Sequence, residues 1–410
     1  MRYDVLIAGA GMTGATAARV LAEAGLRVCV AEERDHTGGN CHDRPDEHGV
    51  VVHPYGPHIF HTSRQAVIDF LSRFTDWRAY EHRVTALVRN MLIPLPFNLT
   101  SLAMCFPARE ARRMEKALVK RHGRDGQVPV LALLSSKDAC LRDLADFVYE
   151  EVFLGYTQKQ WGLAPTEIDP QVTARVPVRV SHDDRYFQDS FQHLPDVGFA
   201  RMFDRMFDHP GITLRLGTSF GDVSVSARAV IYTGTIDGYF THRLGALPYR
   251  SLDFDFRHYA QPRHLPSAVL NYPSAAVPWT RITEYRQLTG QEHPHTSVSV
   301  EYPQPHEAGR TLPYYPVFTD DAARLYADYR ELAEREAPDV IFAGRLGAFR
   351  YLNMDDGCWR AWRPHGRSWT VRVPGKPKPF SATSRVMFSA LSRAGGQPRF
   401  YCRSRSPARP

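Results

Sequence analysis

No stretch of the chain approaches the run of about 18 apolar residues that a membrane-spanning helix needs, so no membrane span is expected. Cysteine is sparse: six residues (Cys29, Cys41, Cys105, Cys140, Cys358 and Cys402) among 410, with no CxxC pair. That scatter argues against a disulfide framework or a zinc site and fits reduced thiols in a cytoplasmic protein. The first residues lack the layout of a secretory signal and run straight into a buried-strand pattern. No internal repeat is visible. Acidic residues are missing from 357–410, a segment with ten Arg and two Lys. The net charge of +7 therefore leaves −5 on the other 356 residues. Basicity belongs to one end of the chain, and nucleic acid is not an expected partner.

What is present is the balance of a globular protein, 43% apolar and 23% charged, with length for two or three domains. Residues 4–8 read as a strand, 15–24 as a helix closed by Gly25, and 26–31 as a second strand. This βαβ unit opens a doubly wound parallel sheet. Helix is expected at 110–120, 138–153 and 320–335, and strands at 229–234 and 340–343. The aromatic and β-branched content of 247–303 suggests an antiparallel sheet.

Gly9, Gly11 and Gly14 form GxGxxG between the first strand and helix. The first glycine permits a tight turn, the second lets backbone approach a pyrophosphate, and the third lets helix and strand pack closely. Glu32, ending the second strand, is placed to accept hydrogen bonds from a ribose. A second glycine pair, Gly38 and Gly39, precedes Asn40 and fits FAD better than NAD. His53, His58 and His61 have no carboxylate or Cys at metal-ligand spacing, so no metal is expected.

Twelve blocks then align in order with one family. They include GAGMTGA (9–15), ERDHTGGN (33–40), YGPHIFHT (55–62), GYTQKQWG (155–162), RVPVR (175–179), VPWTRITEY (277–285), PYYPV (313–317) and GRLGAFRYLNMD (344–355). The sequence resembles the UDP-galactopyranose mutases over residues 3–355. The resemblance implies an α/β fold: a discontinuous doubly wound, Rossmann-like FAD domain, an inserted helical domain and a twisted antiparallel sheet domain. The corresponding spans are 1–80 with about 200–245 and 318–356 for the FAD domain, and about 99–172 for the helices. The sheet takes about 81–98, 175–199 and 246–317, and a basic, flexible tail is expected over 357–410.

The implied activity is an isomerase reaction without net oxidation. UDP-galactopyranose and UDP-galactofuranose interconvert through a covalent adduct between the sugar and N5 of reduced FAD. An external reductant for the flavin, a nucleotide-sugar substrate and a homodimer are the implied partners. Arg175 and Arg281 match the two arginines that hold the diphosphate, and His58 the imidazole beside the isoalloxazine. These three are the catalytic candidates. The resemblance adds His61, Arg345, Tyr351, Asn353 and Met354 to the cofactor site of Gly9, Gly11, Gly14, Glu32, Gly39, Asn40 and His58. Tyr156 and Trp161 look like walls of a uridine pocket, with Tyr186 and Phe187 at the same end. Tyr314 and Tyr315 resemble diphosphate-binding tyrosines, Tyr351 lies near sugar and flavin, and Arg250 and His82 complete the substrate set. Without the resemblance, such an aromatic cluster reads more often as core.

Three positions depart from the family. His82 stands where bacterial members carry Asn, Trp279 replaces a Tyr, and Asn353 replaces an Asp. Gly357 and Pro364 argue against a long helix after Asp355. The alternatives are a pyranose–furanose mutase for another nucleotide sugar, such as an activated fucose or other deoxyhexose, an amine-oxidase-like flavin oxidoreductase, and a catalytically impaired flavoprotein.

Overall fold

The computed structural model describes residues 2–169 and 176–362; Arg175 and the segment from 363 onward lie outside them. A five-stranded sheet carries the opening motif. Its order is Ile212–Arg215, Val28–Ala31, Val5–Ala8, Ala229–Tyr232 and Val340–Phe342, all parallel. Val5–Ala8 and Val28–Ala31 are buried throughout, as continuous apolar runs covered on both faces must be. Sequence order reverses on either side of Val5–Ala8, which opens a crevice at the carboxyl ends of the strands. The helix Met12–Glu23 leaves that crevice, packing Ala15, Ala18 and Leu21 into the core.

A seven-stranded sheet forms the second layer, in the order Tyr315–Pro316, Tyr249–Tyr259, Thr296–Pro305, Arg281–Glu284, Val269–Asn271, Val84–Val88 and Met91–Leu95. Its pairs are antiparallel except one: Val269–Asn271 runs parallel to Val84–Val88. The sheet is therefore mixed at that seam.

The helical region begins at Leu99–Cys105, where Asn98 and Ser101 cap the helix reciprocally. It continues through Ala108–His122, whose last turn is basic, as the helix dipole favours. The helix expected to end at 153 does not stop there. Ala139–Val148 passes into a π turn, Tyr149–Leu154, and on into Gly155–Trp161, closed by Gly162 with φ +72°. π turns of this kind re-aim the following residues and recur at functional sites. Here the re-aimed segment carries Tyr156 and Trp161.

The chain after Asp355 also differs from expectation. Met354–Trp362 is a helix, so residues 357–362 are not tail. Cys358, Ala361 and Trp362 are buried in the core under the parallel sheet. A Cβ on Gly357 would sit 3.1 Å from Thr13 Oγ1. The glycine that suggested a helix break is where this helix crosses Met12–Glu23 closely. The rest of the expected tail, including Pro364, falls outside the described residues. Among the described residues no helix is long and apolar enough to cross a membrane.

Candidate active site

A cavity of about 730 Å³ opens in the crevice of the parallel sheet. The backbone explains its floor. Gly9 turns with φ +100°, and a Cβ there would lie 2.1 Å from Thr233 Oγ1. A Cβ on Gly14 would lie 2.0 Å from the carbonyl oxygen of Gly9. Gly39 folds back until its own Cβ would be 3.1 Å from Gly11 Cα, so the two glycine turns touch. Helix Met12–Glu23 begins at Gly11 with no side-chain cap, leaving its first N–H groups and the positive end of its dipole toward the cavity. Buried Glu32 accepts from the backbone N–H of Ala10 (2.7 Å) and of Arg34 (3.1 Å), which fixes its carboxylate at the strand end. Arg34 lines the same cavity; its Nη2 donates to Asn40 Oδ1 (2.8 Å), and its Nη1 is buried without a hydrogen-bond partner among the described residues.

A second cavity, of about 630 Å³, lies between the helical region and the seven-stranded sheet. His58, Tyr314, Arg345, Asn353 and Met354 line both cavities, so the two meet at these residues. Gly56 (φ +91°) bends the chain so that its carbonyl oxygen lies 2.8 Å from His58 Nδ1. Arg345 sits over Tyr315 and Tyr351 (5.1 and 5.2 Å to the ring centres) and donates to the Leu352 carbonyl (2.6 Å). Those two tyrosines stack at 5.5 Å and 7°, with Trp161 beside them at 6.0 and 6.4 Å.

Arg281 enters from the strand Arg281–Glu284. Its Nε donates to Glu301 Oε1 (3.0 Å), which also accepts from Thr280 Oγ1 (3.1 Å). Burial opposes charge on Arg281, and the Glu301 carboxylate overrides it, holding the guanidinium well above its ordinary value. Burial pushes His58 and His82 down to about 3, helped at His58 by His53 and at His82 by Arg281, so both imidazoles are neutral. Burial likewise raises Tyr156, and pushes Tyr315 up to about 12.

The expected cofactor residues divide between the cavities. Gly9, Gly11, Gly14, Glu32, Gly39 and Asn40 line the first, while His61 and Tyr351 line only the second. Of the expected substrate residues, His82, Tyr156, Trp161, Tyr186, Phe187, Arg281, Tyr314, Tyr315 and Tyr351 line the second. Arg250 lines neither cavity. Its Nε and Nη2 donate to the carbonyls of Gln160 (2.9 Å) and Lys159 (3.0 Å), so it braces the helix that carries Trp161.

Glu301, Arg34 and Asp189 escaped the sequence reading. For Glu301 a signal existed: a carboxylate inside an alternating apolar strand, placed by register opposite Arg281. Arg34 and Asp189 sit in polar loops and gave none.

The comparisons agree with this geometry. A family model for UDP-galactopyranose mutase matches residues 151–351, and one for an NAD(P)-binding Rossmann-like domain matches 7–74. A probable UDP-galactopyranose mutase of Klebsiella pneumoniae is 36% identical over 354 residues, spanning 86% of this chain and 91% of the relative. The chain belongs to the UDP-galactopyranose mutase family. It is thereby an isomerase of that type. A dTDP-fucopyranose mutase of Escherichia coli is also similar, 33% identical over 364 residues, 86% of this chain and 94% of the relative. A crystal structure of reduced UDP-galactopyranose mutase shares the fold, with a TM-score of 0.67, 17% identity, and coverage of 88% of this chain and 92% of that one. The family implies a flavin cofactor, and the first cavity fits one. Gly9, Gly14 and Gly39 have no room for a Cβ while Gly11 keeps an open face, the helix N-terminus has no side-chain cap, and the buried Nη1 of Arg34 lacks a hydrogen-bond partner among the described residues.

Proposed function

We propose that the protein interconverts the pyranose and furanose forms of a nucleotide sugar, with UDP-galactose as the substrate. FAD would occupy the first cavity and the sugar nucleotide the second. The observation that carries this reading is the meeting of the two cavities at His58, Arg345 and Met354, with Arg281 on the second. When bound and reduced, a flavin supplies a nucleophilic nitrogen to the anomeric carbon, and an external reductant maintains that state.

The chain's residues do the rest. Gly9, Gly11 and Gly14 give the pyrophosphate backbone contacts, and Glu32 takes the ribose hydroxyls. Neutral His58, fixed through Nδ1, places an uncharged imidazole where the cavities join. Arg281, kept charged by Glu301, stabilises the diphosphate as it leaves and returns. Tyr315 stays protonated and offers a hydroxyl to the same oxygens. Trp161 and Tyr156 supply aromatic faces for a base. Arg175 would be the second diphosphate arginine.

A second reading keeps the chemistry and changes the sugar. His82 gives the second cavity a bulkier wall than Asn would, and the similar E. coli protein is a dTDP-fucopyranose mutase. An anaerobic assay decides between them. Dithionite-reduced protein receives UDP-galactofuranose or dTDP-fucofuranose, and pyranose formation is followed by chromatography. Conversion of the UDP sugar only in the reduced state is expected. Preference for the dTDP sugar would select the second reading, and no conversion of either with flavin bound would overturn both.

A further inference from the structure

His61 lies on the strand Phe60–Thr62 and lines the second cavity. Its Nδ1 is 2.7 Å from Asp189 Oδ2, and the other Asp189 oxygen accepts from Ser63 Oγ (2.9 Å). The hydrogen bond from His61 holds the Asp189 carboxyl below its usual range, so it is ionised and can only accept. Nδ1 therefore carries the shared hydrogen, and Nε2 is the ring's acceptor. Phe187 covers one face of the imidazole, stacked at 3.6 Å and 12°. This is the arrangement of an oriented acid–base imidazole: a fixed tautomer, a stabilising carboxylate and a place on the cavity wall.

Resting on the reading above, the sugar chemistry asks for such a group. In the pyranose, C1 is bonded to O5 and O4 carries hydrogen; in the furanose the two oxygens have exchanged roles. One proton must reach O5 and one must leave O4. We infer that the His61–Asp189 pair holds that proton, its imidazolium giving it to one oxygen and its neutral Nε2 taking it from the other. As C1–O5 breaks, the bonding pair stays on O5, which takes the proton from Nε2–H; C1 would be satisfied by a lone pair of the bound flavin nitrogen until the ring closes again. As O4 closes on C1 through a lone pair, its proton passes to Nε2. The ring ends as it began, and no oxidant or reductant is consumed.

Other groups on the cavity are unsuited. His58 and His82 have no carboxylate partner among the described residues and are held neutral by burial. Tyr156 and Tyr315 are held protonated by burial. Glu301 is engaged by Arg281 and Thr280. Thr62 and Arg64, next to His61 in the chain, both bond Asp355 and leave Asp189 as the carboxylate on this ring.

The test uses the flavin-loaded full chain and its His61→Ala and Asp189→Asn variants. His61→Ala should lower kcat by about 100-fold or more, the usual range for a lost acid–base group, while flavin content and UDP affinity stay within threefold. Free imidazole should restore part of that rate in His61→Ala and none in Asp189→Asn, a rescue that a packing role does not predict. Ring-nitrogen NMR should show the Nδ1–H tautomer for His61, altered in Asp189→Asn. A near-normal rate in His61→Ala, or the Nε2–H tautomer in the unsubstituted protein, would overturn the inference. If the unsubstituted protein converted no nucleotide sugar, the proposed function would fail while the tautomer measurement still judged the pair.

Discussion

At the scale of single residues, the pair of Arg281 and Glu301 combines binding with stability. Glu301 is almost wholly buried (side chain 2% exposed), whereas Arg281 keeps a quarter of its side chain accessible. Removing the arginine leaves an uncompensated carboxylate, and breaking a buried pair in this way costs about 3–5 kcal/mol. Arg281→Met should therefore lose that much stability in urea unfolding and also about 100-fold or more in turnover. Adding Glu301→Gln should restore most of the stability and none of the turnover, because the orphaned charge is gone but the diphosphate anchor is still missing. A single Arg281→Met variant as stable as the unsubstituted protein would refute this coupling. Lys159 acts differently. Its Nζ donates to the carbonyls of Tyr272 (2.6 Å), Ser274 (2.8 Å) and Trp279 (2.8 Å), tying the loop before Arg281 to the helix bearing Trp161. Lys159→Met should raise KM for the nucleotide sugar about tenfold, roughly the effect of one or two lost hydrogen bonds, with flavin content unchanged. An unchanged KM would show that the loop holds itself.

At the scale of elements, the two glycine-bearing helices show what a sequence reveals and what it hides. GxGxxG was legible because its glycines fall between a buried apolar strand and a helix, a context that gives each one a role. The strands Val5–Ala8 and Ala229–Tyr232 were legible as short apolar runs. Gly357 counted only against a long helix, since composition does not show that a glycine is where two helices touch. The π turn at Tyr149–Leu154 was hidden because it sits inside a continuous helical pattern, between Ala139–Val148 and Gly155–Trp161. Partners distant in sequence, such as His61 with Asp189 and Arg281 with Glu301, become visible only once the strands are in register. Helix Met354–Trp362 supports a quantitative check. Trp362 is buried against Phe70 at 5.9 Å, so Trp362→Ala should cost about 3–5 kcal/mol in denaturant unfolding. Gly357→Val should push the helix away from Thr13 and reduce flavin retention, because Gly357 and Met354 line the first cavity. Full flavin content in that variant would separate the helix crossing from the cofactor site.

At the scale of the whole molecule, buried histidines tie folding to pH. His53 is 1% exposed and His82 5% exposed, and burial lowers both to about 3 from an ordinary 6.5. His53 Nδ1 also accepts from the backbone N–H of His58 (3.0 Å), a bond that protonation would remove. Between pH 6.5 and 3 the unfolded chain therefore binds protons at these sites that the folded chain refuses. Stability rises with pH wherever the unfolded state binds more protons, so this contribution is complete above about 6.5 and is lost as pH falls toward 3. Each group contributes at most about 1.4 kcal/mol per pH unit within that window; with His58, likewise lowered to about 3, the three together contribute about 4. Urea unfolding of the flavin-saturated protein, followed by tryptophan fluorescence at pH 7.5, 6.5 and 5.5, should show little change over the first step and a clear loss over the second. His82→Gln should remove about a third of that loss, His53 and His58 carrying the rest, since Gln keeps a donor and an acceptor but takes up no proton. Equal stability at pH 7.5 and 5.5 would mean that these imidazoles become charged inside the fold, and the neutral lining assigned to the second cavity would then be wrong.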